Sequence, residues 1–229
     1  MSKVNVRYYQ RRARRRRLLV SRTIKIVFVL AVTIGMLLFL RHMYLTEAKA
    51  LLSRDEKVTQ TLSDEVIPGQ IPMFFQYDSR WKDEDYGDGT MEFNGCGPTC
   101  LSMVLCGLNG TAEYDPVTIA KLADARGYYE AGAGSSWTLM SELSEELDLK
   151  VHEVRFDESH IREELMEKRP IICVVGPGDF TTTGHFIVLC GLDSDGRVIV
   201  HDPNSEERSR RTWEIGELMP QIKNLWSYS

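Results

Sequence analysis

Residues 95–110 read Gly95-Cys96-Gly97-Pro98-Thr99-Cys100, followed by Leu-Ser-Met-Val-Leu-Cys-Gly-Leu-Asn-Gly. The apolar positions after the Cys recur at helical spacing, which predicts a helix that begins near Cys96 and ends at Gly107 or Gly110. Pro98 suits the first turn of a helix, where its missing N–H leaves no hydrogen bond unmade. The predicted apolar face consists of Leu101, Val104, Leu105 and Leu108.

A thiol at the start of a helix lies at the positive end of the helix dipole, beside backbone N–H groups that have no partner within the helix. Both features favour the thiolate, which is the nucleophilic form of cysteine. The same N–H groups can stabilise an oxyanion. We therefore predict that Cys96 is a catalytic nucleophile. The alternative is a buried structural cysteine beside glycines that only make a turn.

A candidate base and a candidate acid lie in one predicted hairpin. Two β-rich runs, 185–192 and 197–202, flank the turn signal Asp193-Ser-Asp-Gly196. When the turn is centred between residues 194 and 195, residue 187 faces residue 202. His185 and Asp202 are then diagonal neighbours on one face of the hairpin, roughly 7–8 Å apart at Cα.

This geometry suits a histidine base that is held by an acid. A carboxylate on one imidazole nitrogen fixes the tautomer and favours the imidazolium, while the other nitrogen can contact the thiol. His201 points to the opposite face of the hairpin and is the weaker candidate. The alternative is that His185 and Asp202 are ordinary polar residues of an edge strand.

Four separate blocks follow one another in the chain: Gln76-Tyr-Asp78-Ser-Arg80-Trp81, Gly95 to Thr99, Gly184-His185-Phe-Ile-Val-Leu, and Val200-His-Asp202-Pro203. In this order they resemble the papain-like cysteine peptidases related to the bacteriocin-processing double-glycine leader peptidases (peptidase C39-like), over about residues 71–229. The resemblance implies an α+β, papain-like fold, in which a helical lobe with the Cys packs on an antiparallel sheet with the His and Asp. It also implies that Cys96 is the nucleophile, His185 the general base and then acid, and Asp202 the orienting residue, with no cofactor.

The chain departs from that pattern in two places. Papain-like enzymes usually carry an oxyanion Gln about six residues before the Cys, where this chain has Thr90. Gln76 can fill the role if residues 77–95 loop out; the alternative is a polar residue that opens a surface loop. In addition, the sequence has no Gly-x-x-x-x-Gly-Lys-Ser/Thr loop, so we do not expect it to be a transport ATPase with a peptidase domain. The resemblance therefore does not fix the substrate.

Three glycines and one serine near these blocks are candidates for lining the substrate cleft, because glycine has no side chain and lets a peptide backbone approach. We predict this role for Gly95, Gly134, Ser135 and Gly184, and we expect Gly184 to allow tight packing beside the base. The alternative for the loop that contains Gly134 is a flexible loop with a helix cap at Ser136. Further elements predicted from the pattern are helices over 116–126, 137–147 and 159–168 and an apolar strand over 171–175.

The N-terminal part of the chain indicates a membrane anchor. Residues 1–25 contain ten basic residues and no acidic one, and an apolar run from 26 to 40 follows. We predict a basic cytoplasmic segment (1–23), a single transmembrane signal anchor (24–40), a stalk (41–70) and an extracytoplasmic papain-like peptidase domain (71–229). The alternative to a retained anchor is cleavage at the small-residue site Ala48-Lys49-Ala50.

Charge and cysteine content limit the classes of partner. Residues 42–229 hold 17 basic residues and all 33 acidic residues, which gives a net charge of about −16. Such a domain repels nucleic acids and attracts cations, so we expect a peptide or protein substrate, with cationic peptides favoured, and no nucleic acid. The five cysteines show no spacing typical of a zinc site, and we expect no metal. The sequence therefore predicts a cysteine peptidase; the alternatives are an acyltransferase with the same three residues, or a silent module that binds peptides or wall components.

Overall fold

A computed structural model describes residues 29–30, 32–46 and 61–229 of the chain. The predicted basic segment and the alternative cleavage site at 48–50 lie outside the described residues, as do parts of the predicted anchor and stalk. Residues 29–30 and 32–46 are helical. Across the part of the chain that the structure describes, none of the helices combines the length and the apolar character that a membrane crossing requires. The chain divides into two units, Met1–Glu56 and Lys57–Ser229, and the second unit carries the predicted catalytic residues.

The second unit alternates short strands with helices. Its strands are β1 (Asp85–Tyr86), β2 (Gly89–Thr90), β3 (Tyr129–Glu130), β4 (Gly134–Ser135), β5 (Val151–Glu153), β6 (Ile171–Val175), β7 (His185–Leu192), β8 (Val198–His201), β9 (Thr212–Trp213) and β10 (Ile222–Tyr228). Its helices are α1 (Met91–Asn94), α2 (Cys96–Asn109), α3 (Pro116–Arg126), α4 (Glu142–Glu146), α5 (Glu158–Met166), α6 (Glu206–Arg210) and α7 (Ile215–Leu218). A 3₁₀-helix covers Trp137–Met140.

Six strands form the main sheet, in the order β5-β10-β6-β7-β8-β9, and all neighbours are antiparallel. Alternate residues of β6 enter two different hydrophobic clusters, because successive side chains of a strand point to opposite faces. Ile172 and Val174 pack toward the helical lobe, whereas Ile171 and Cys173 pack toward α5 and the C-terminal segment. Both faces of the sheet are therefore buried, which explains why β6 is apolar throughout.

The helical lobe is centred on α2, whose residues from Gly97 to Gly107 are all buried. Gly110 ends this helix in the left-handed region, with a φ of 65°, so the prediction of a stop at Gly110 is confirmed. The predicted helix over 116–126 is confirmed with the same bounds, and the Asp115 side chain accepts hydrogen bonds from two N–H groups of its first turn.

Two predicted elements differ from the structure in their extent. The helix expected over 137–147 is split, with the 3₁₀-helix first and α4 after Ser141. Ser136 does cap the first part, since its side chain accepts from Thr138 N. The folded unit also begins earlier than residue 71, because Leu62 and Val66 from the predicted stalk are buried in the core of the helical lobe.

The structure therefore has the predicted α+β class, with a helical lobe on one face of an antiparallel sheet. Trp213 on β9 and Trp226 on β10 are both buried in the core. The start of α2 and the adjoining ends of β7 and β8 bring together the residues considered next.

Candidate active site

Cys96 is the first residue of α2, and Gly95 is the N-cap. The first hydrogen bond of the helix runs from Thr99 N to Gly95 O, at 3.0 Å. Gly95 is required at this corner, because a Cβ atom there would lie 2.4 Å from the carbonyl oxygen of Met91. The sequence therefore folds so that the half-buried Cys96 thiol stands at the positive end of a helix, as predicted.

His185 begins β7 and Asp202 directly follows β8. The pairing of Val188 with His201 is the register that the turn predicts, and it places both side chains on one face of the hairpin. His185 Nε2 lies 2.7 Å from Asp202 Oδ1, so the predicted contact between the two residues is confirmed. This hydrogen bond leaves His185 Nδ1 as the ring nitrogen available to Cys96.

The register does not continue unchanged to the turn. It shifts by one residue between Leu189 and Gly191, where Cys190 forms a β-bulge and Gly191 pairs with Ile199. The turn itself is closed by a hydrogen bond from Asp193 N to the carbonyl oxygen of Arg197, at 2.8 Å. It is therefore centred on residue 195, so the predicted centre between residues 194 and 195 is wrong, and the bulge restores the predicted register at the His185 end.

The three side chains alter one another's protonation. Burial raises the pKa of Cys96, but the hydrogen bond and positive charge of His185, together with the Phe186 and Gly97 N–H groups, bring it below its usual value. Burial lowers the pKa of His185, yet Asp202 and Cys96 together raise it to about 9. Burial also raises the pKa of Asp202, and the hydrogen bond and charge of His185 bring it below its usual range. These directions describe a thiolate–imidazolium pair beside an ionised carboxylate.

Gln76 lies next to this group of residues. Its backbone N–H donates to Pro203 O at 2.8 Å, one residue after the acid. Its side-chain Nε2 donates to Glu92 O at 2.7 Å, four residues before the Cys. The residues between Gln76 and Cys96 form the β1–β2 hairpin and α1, so the intervening segment does loop out. The side chain is buried, which contradicts the alternative of a surface-loop residue.

Gln76 retains hydrogen-bonding capacity. A carboxamide nitrogen carries two N–H groups, and the bond to Glu92 uses one of them. The Gln76 Oε1 atom is buried without a hydrogen-bond partner among the residues that the structure describes. A buried amide oxygen without a hydrogen-bond partner is costly.

The other residues predicted to line the cleft differ in their contacts and backbone angles. The Ser135 hydroxyl lies 2.8 Å from Tyr86 Oη, and a Cβ atom added to Gly97 would meet Ser135 Oγ at 2.4 Å. Gly134 has a φ of 89° in the β3–β4 hairpin, which only glycine adopts easily. The expected tight packing at Gly184 is wrong, because a Cβ atom there would meet nothing within 4 Å.

The remaining thiols are poor nucleophiles. Cys100, one turn after Cys96, is fully buried, and burial raises its pKa well above the usual value. Burial likewise raises the pKa of Cys106 to about 12 and raises that of Cys173 and Cys190. All five cysteines are free thiols.

His201 is not hydrogen-bonded to Cys96, His185 or Asp202: its Nδ1 lies 3.1 Å from Pro72 O. Burial lowers its pKa, which agrees with its ranking as the weaker candidate. Within the residues that the structure describes, no group of three or more His, Cys, Asp and Glu side chains is arranged to hold a metal ion.

Sequence reasoning missed Arg208. Its Nε donates to Asp202 Oδ2 at 2.5 Å, and its guanidinium carbon lies 5.9 Å from the centre of the Phe180 ring. The signal that could have found it is Ser205 followed by two glutamates, a pattern typical of a helix N-terminus. That pattern predicts the short helix α6, which turns Arg208 back toward the acid.

Comparison with known proteins shows the family of the chain. The model of the family described as Peptidase_C39 like family matches residues 69–229. Among solved structures, the chain is similar to the peptidase domain of Streptococcus ComA, a bi-functional ABC transporter involved in a quorum sensing pathway. The identity is 16%, the TM-score is 0.46, and the match covers 58% of this chain and 89% of the other. A likeness at this level carries no weight for fold or function. A search of the curated proteins found no match.

Proposed function

We propose that this chain, which belongs to the C39-like peptidase family, is a cysteine peptidase that hydrolyses peptide bonds with Cys96, His185 and Asp202. The observation that carries the proposal is the continuous set of contacts from the Cys96 thiol through the His185 ring to the buried Asp202 carboxylate. The family match supports the class of chemistry, and this arrangement supports the role proposed for each residue.

In the proposed reaction, the Cys96 thiolate attacks the carbonyl carbon of a peptide bond and forms a tetrahedral oxyanion. The backbone N–H groups at the start of α2 and the second Nε2–H of Gln76 donate to this oxyanion. The His185 imidazolium then gives its proton to the leaving amine, the C–N bond breaks and a thioester remains. Water attacks the thioester while neutral His185 accepts a proton from it, and the carboxylic acid and Cys96 are released.

Asp202 keeps the imidazole in place during both steps. Because Nε2 is bound to the carboxylate, the opposite ring nitrogen faces the sulfur, and the imidazolium that forms is stabilised by an adjacent negative charge. The burial of Asp202 strengthens this interaction, since no solvent screens the carboxylate.

We further propose that the domain works outside the cytoplasm, attached by an uncleaved signal anchor over residues 24–40. The support is the charge asymmetry of the sequence, in which a cluster of basic residues directly precedes an apolar run. The acidic character of residues 42–229 favours a cationic peptide or protein as substrate. Protease digestion of intact cells would test the topology, because an extracytoplasmic domain is degraded and a cytoplasmic one is protected.

The first test of the activity is the pH dependence of iodoacetamide alkylation at Cys96, read by mass spectrometry on the full chain in detergent. We expect rapid alkylation that persists below about pH 6 and that falls about a hundredfold at that pH in the His185→Ala variant. His152→Ala is the matched control, because His152 is exposed on β5 and should leave the profile unchanged.

Alkylation that rises only near pH 8.5, and equally in the wild type and in His185→Ala, would contradict the proposal and favour a silent module. The reaction type is read by incubating the wild-type chain with a peptide mixture, with and without glycine amide. Hydrolysis gives products with free carboxylates in both mixtures. Products that carry glycine amide in place of water would indicate acyl transfer instead.

A further inference from the structure

Asp202 has a complete set of hydrogen-bond donors, and they divide between its two oxygens. Oδ1 accepts from His185 Nε2 at 2.7 Å and from Asn204 N at 2.8 Å. Oδ2 accepts from Arg208 Nε at 2.5 Å. The side chain of Asp202 is 0% exposed, so water cannot replace a donor that is lost. One oxygen therefore orients the base, and the other is held by Arg208.

Arg208 is itself fixed from several sides. Its N–H donates to Ser205 Oγ at 3.2 Å, and its carbonyl oxygen accepts from Trp213 Nε1 at 3.1 Å. The guanidinium lies over the Phe180 ring, whose centre is 4.6 Å from that of Trp213. Phe180 belongs to the loop that leads into His185, so Arg208 connects the segment before the base with the segment after the acid.

We propose that Arg208 is a positioning residue for the catalytic reaction: it holds the Asp202 carboxylate in the orientation that directs Oδ1 at His185. This inference rests on the proposed function, since it assigns a residue that acts through Asp202 and His185. Arg208 does not touch the reacting atoms and is not a catalytic residue. A planar guanidinium suits this role, because its N–H groups have fixed directions.

The loss of Arg208 would leave a buried anionic oxygen without a donor. Such an oxygen is unfavourable, so the carboxyl group would turn away from His185 or take up a proton at a higher pH. In either case the imidazolium loses its stabilising charge, and Cys96 holds its proton up to a higher pH. An arginine with only a structural role would instead change stability and leave the pH profile of Cys96 in place.

Other titratable groups near Asp202 could also shift the pH profile of Cys96 alkylation. His185 faces it from β7, Arg208 from α6, Tyr77 from the segment before β1, and Cys100 from α2. Burial raises the pKa of both Tyr77 and Cys100, so neither group titrates in the acid range. A shift of the acid limb therefore reports on the Cys96, His185 and Asp202 set alone.

The test is the alkylation profile of Cys96 in the full chain, measured for wild type, Arg208→Gln and Arg208→Lys. We expect Arg208→Gln to raise the midpoint of the acid limb by about one pH unit, with alkylation about tenfold slower below that midpoint. Arg208→Lys keeps the charge but loses the directional N–H groups, so its midpoint should rise by less. Arg210→Gln is the matched control, because Arg210 lies on the same helix, is 74% exposed and should give the wild-type profile.

A folded Arg208→Gln variant with an unchanged or lowered midpoint overturns the inference. If that variant does not fold, as judged by circular dichroism, Arg208→Lys decides the question: a raised midpoint supports the inference and an unchanged one overturns it. Failure of the proposed function would look different, because the wild-type chain itself would then be alkylated only near pH 8.5.

Discussion

Cys96 and Cys100 lie one turn apart on α2, and their surroundings give them opposite chemistry. Cys96 stands at the first position of the helix, where the hydrogen bond and charge of His185 lower its pKa despite burial. Cys100 lies inside the lobe, where burial raises its pKa well above the usual value and no cation opposes that effect. Burial alone therefore does not decide the reactivity of a thiol in this fold. The presence of a charged partner does.

Removal of Cys96 tests this difference most strongly. We expect Cys96→Ala to lower peptide hydrolysis at least about a thousandfold, because no other thiol contacts His185. Titration with a thiol reagent at pH 6 should show one fast cysteine in the native wild type and none in the variant. Unfolding should expose all five cysteines of the wild type, which serves as the control. A fast thiol that persists in Cys96→Ala would contradict the contrast between the two cysteines.

Gln76→Ala separates activation of the thiol from stabilisation of the oxyanion. We expect kcat to fall about a hundredfold, since one oxyanion donor is lost. The alkylation profile of Cys96 should stay the same, because alkylation does not pass through an oxyanion. Gln70→Ala is a matched control, as Gln70 is an exposed glutamine of the neighbouring segment. Equal losses in hydrolysis and in alkylation would show that Gln76 acts only by supporting the fold.

Asp202→Asn removes the negative charge beside His185, the residue whose hydrogen bond and charge lower the pKa of Cys96 but not that of Cys100. Asp202 helps to raise the pKa of His185 to about 9, so hydrolysis by the wild type should decline only above about pH 9, where the leaving amine no longer receives a proton. Loss of the carboxylate charge should move this alkaline limb to lower pH and slow alkylation at pH 6 about tenfold. The measurement is the pH profile of hydrolysis for both proteins. An alkaline limb that stays in place would show that Asp202 does not set the pKa of His185.

Cys100→Ala should have the smallest effect. The sulfur lies in a packed core and takes no part in the proposed reaction, so we expect a loss of about 1 kcal/mol in the free energy of unfolding. Hydrolysis should stay within about twofold of the wild type. Urea unfolding and hydrolysis assays measure the two quantities, and Cys173→Ala, at an equally buried sheet position, provides the comparison. A large loss of activity with unchanged stability would give Cys100 a role that its surroundings do not predict.

Local signals made much of the fold predictable. Asp115 caps the start of α3 and Gly110 caps the end of α2. Each cap acts on residues next to it in the chain, so these helix bounds can be predicted from the sequence. The register at the His185 and Asp202 end of the β7–β8 hairpin was predicted correctly, although the turn is centred on residue 195 and the bulge at Cys190 accounts for the difference. In each case, the residues that determine the structure are close together in the chain.

Features without a clear periodic or turn signal of their own were harder to predict. The position of Gln76 depends on the β1–β2 hairpin and on a hydrogen bond to Pro203, and the residues around Gln76 predict neither of them. Arg208 reaches Asp202 through a helix of five residues, which is too short to give a periodic signal. The expected packing at Gly184 was wrong, because a glycine beside a functional residue does not by itself indicate a close neighbour.

The bulge at Cys190 has a consequence for how this hairpin tolerates change. The pairing register of β7 with β8 differs by one residue between the turn end of the hairpin and the end with His185 and Asp202. An added or lost residue near the Asp193–Arg197 turn can therefore be absorbed locally, by reshaping or removing the bulge, while the end with His185 and Asp202 keeps its alignment. The same change between His185 and Val188 would turn the base to the opposite face of the sheet. The hairpin thus has one end that can vary in length and one end that cannot, and loop grafting in this protein should be confined to the first.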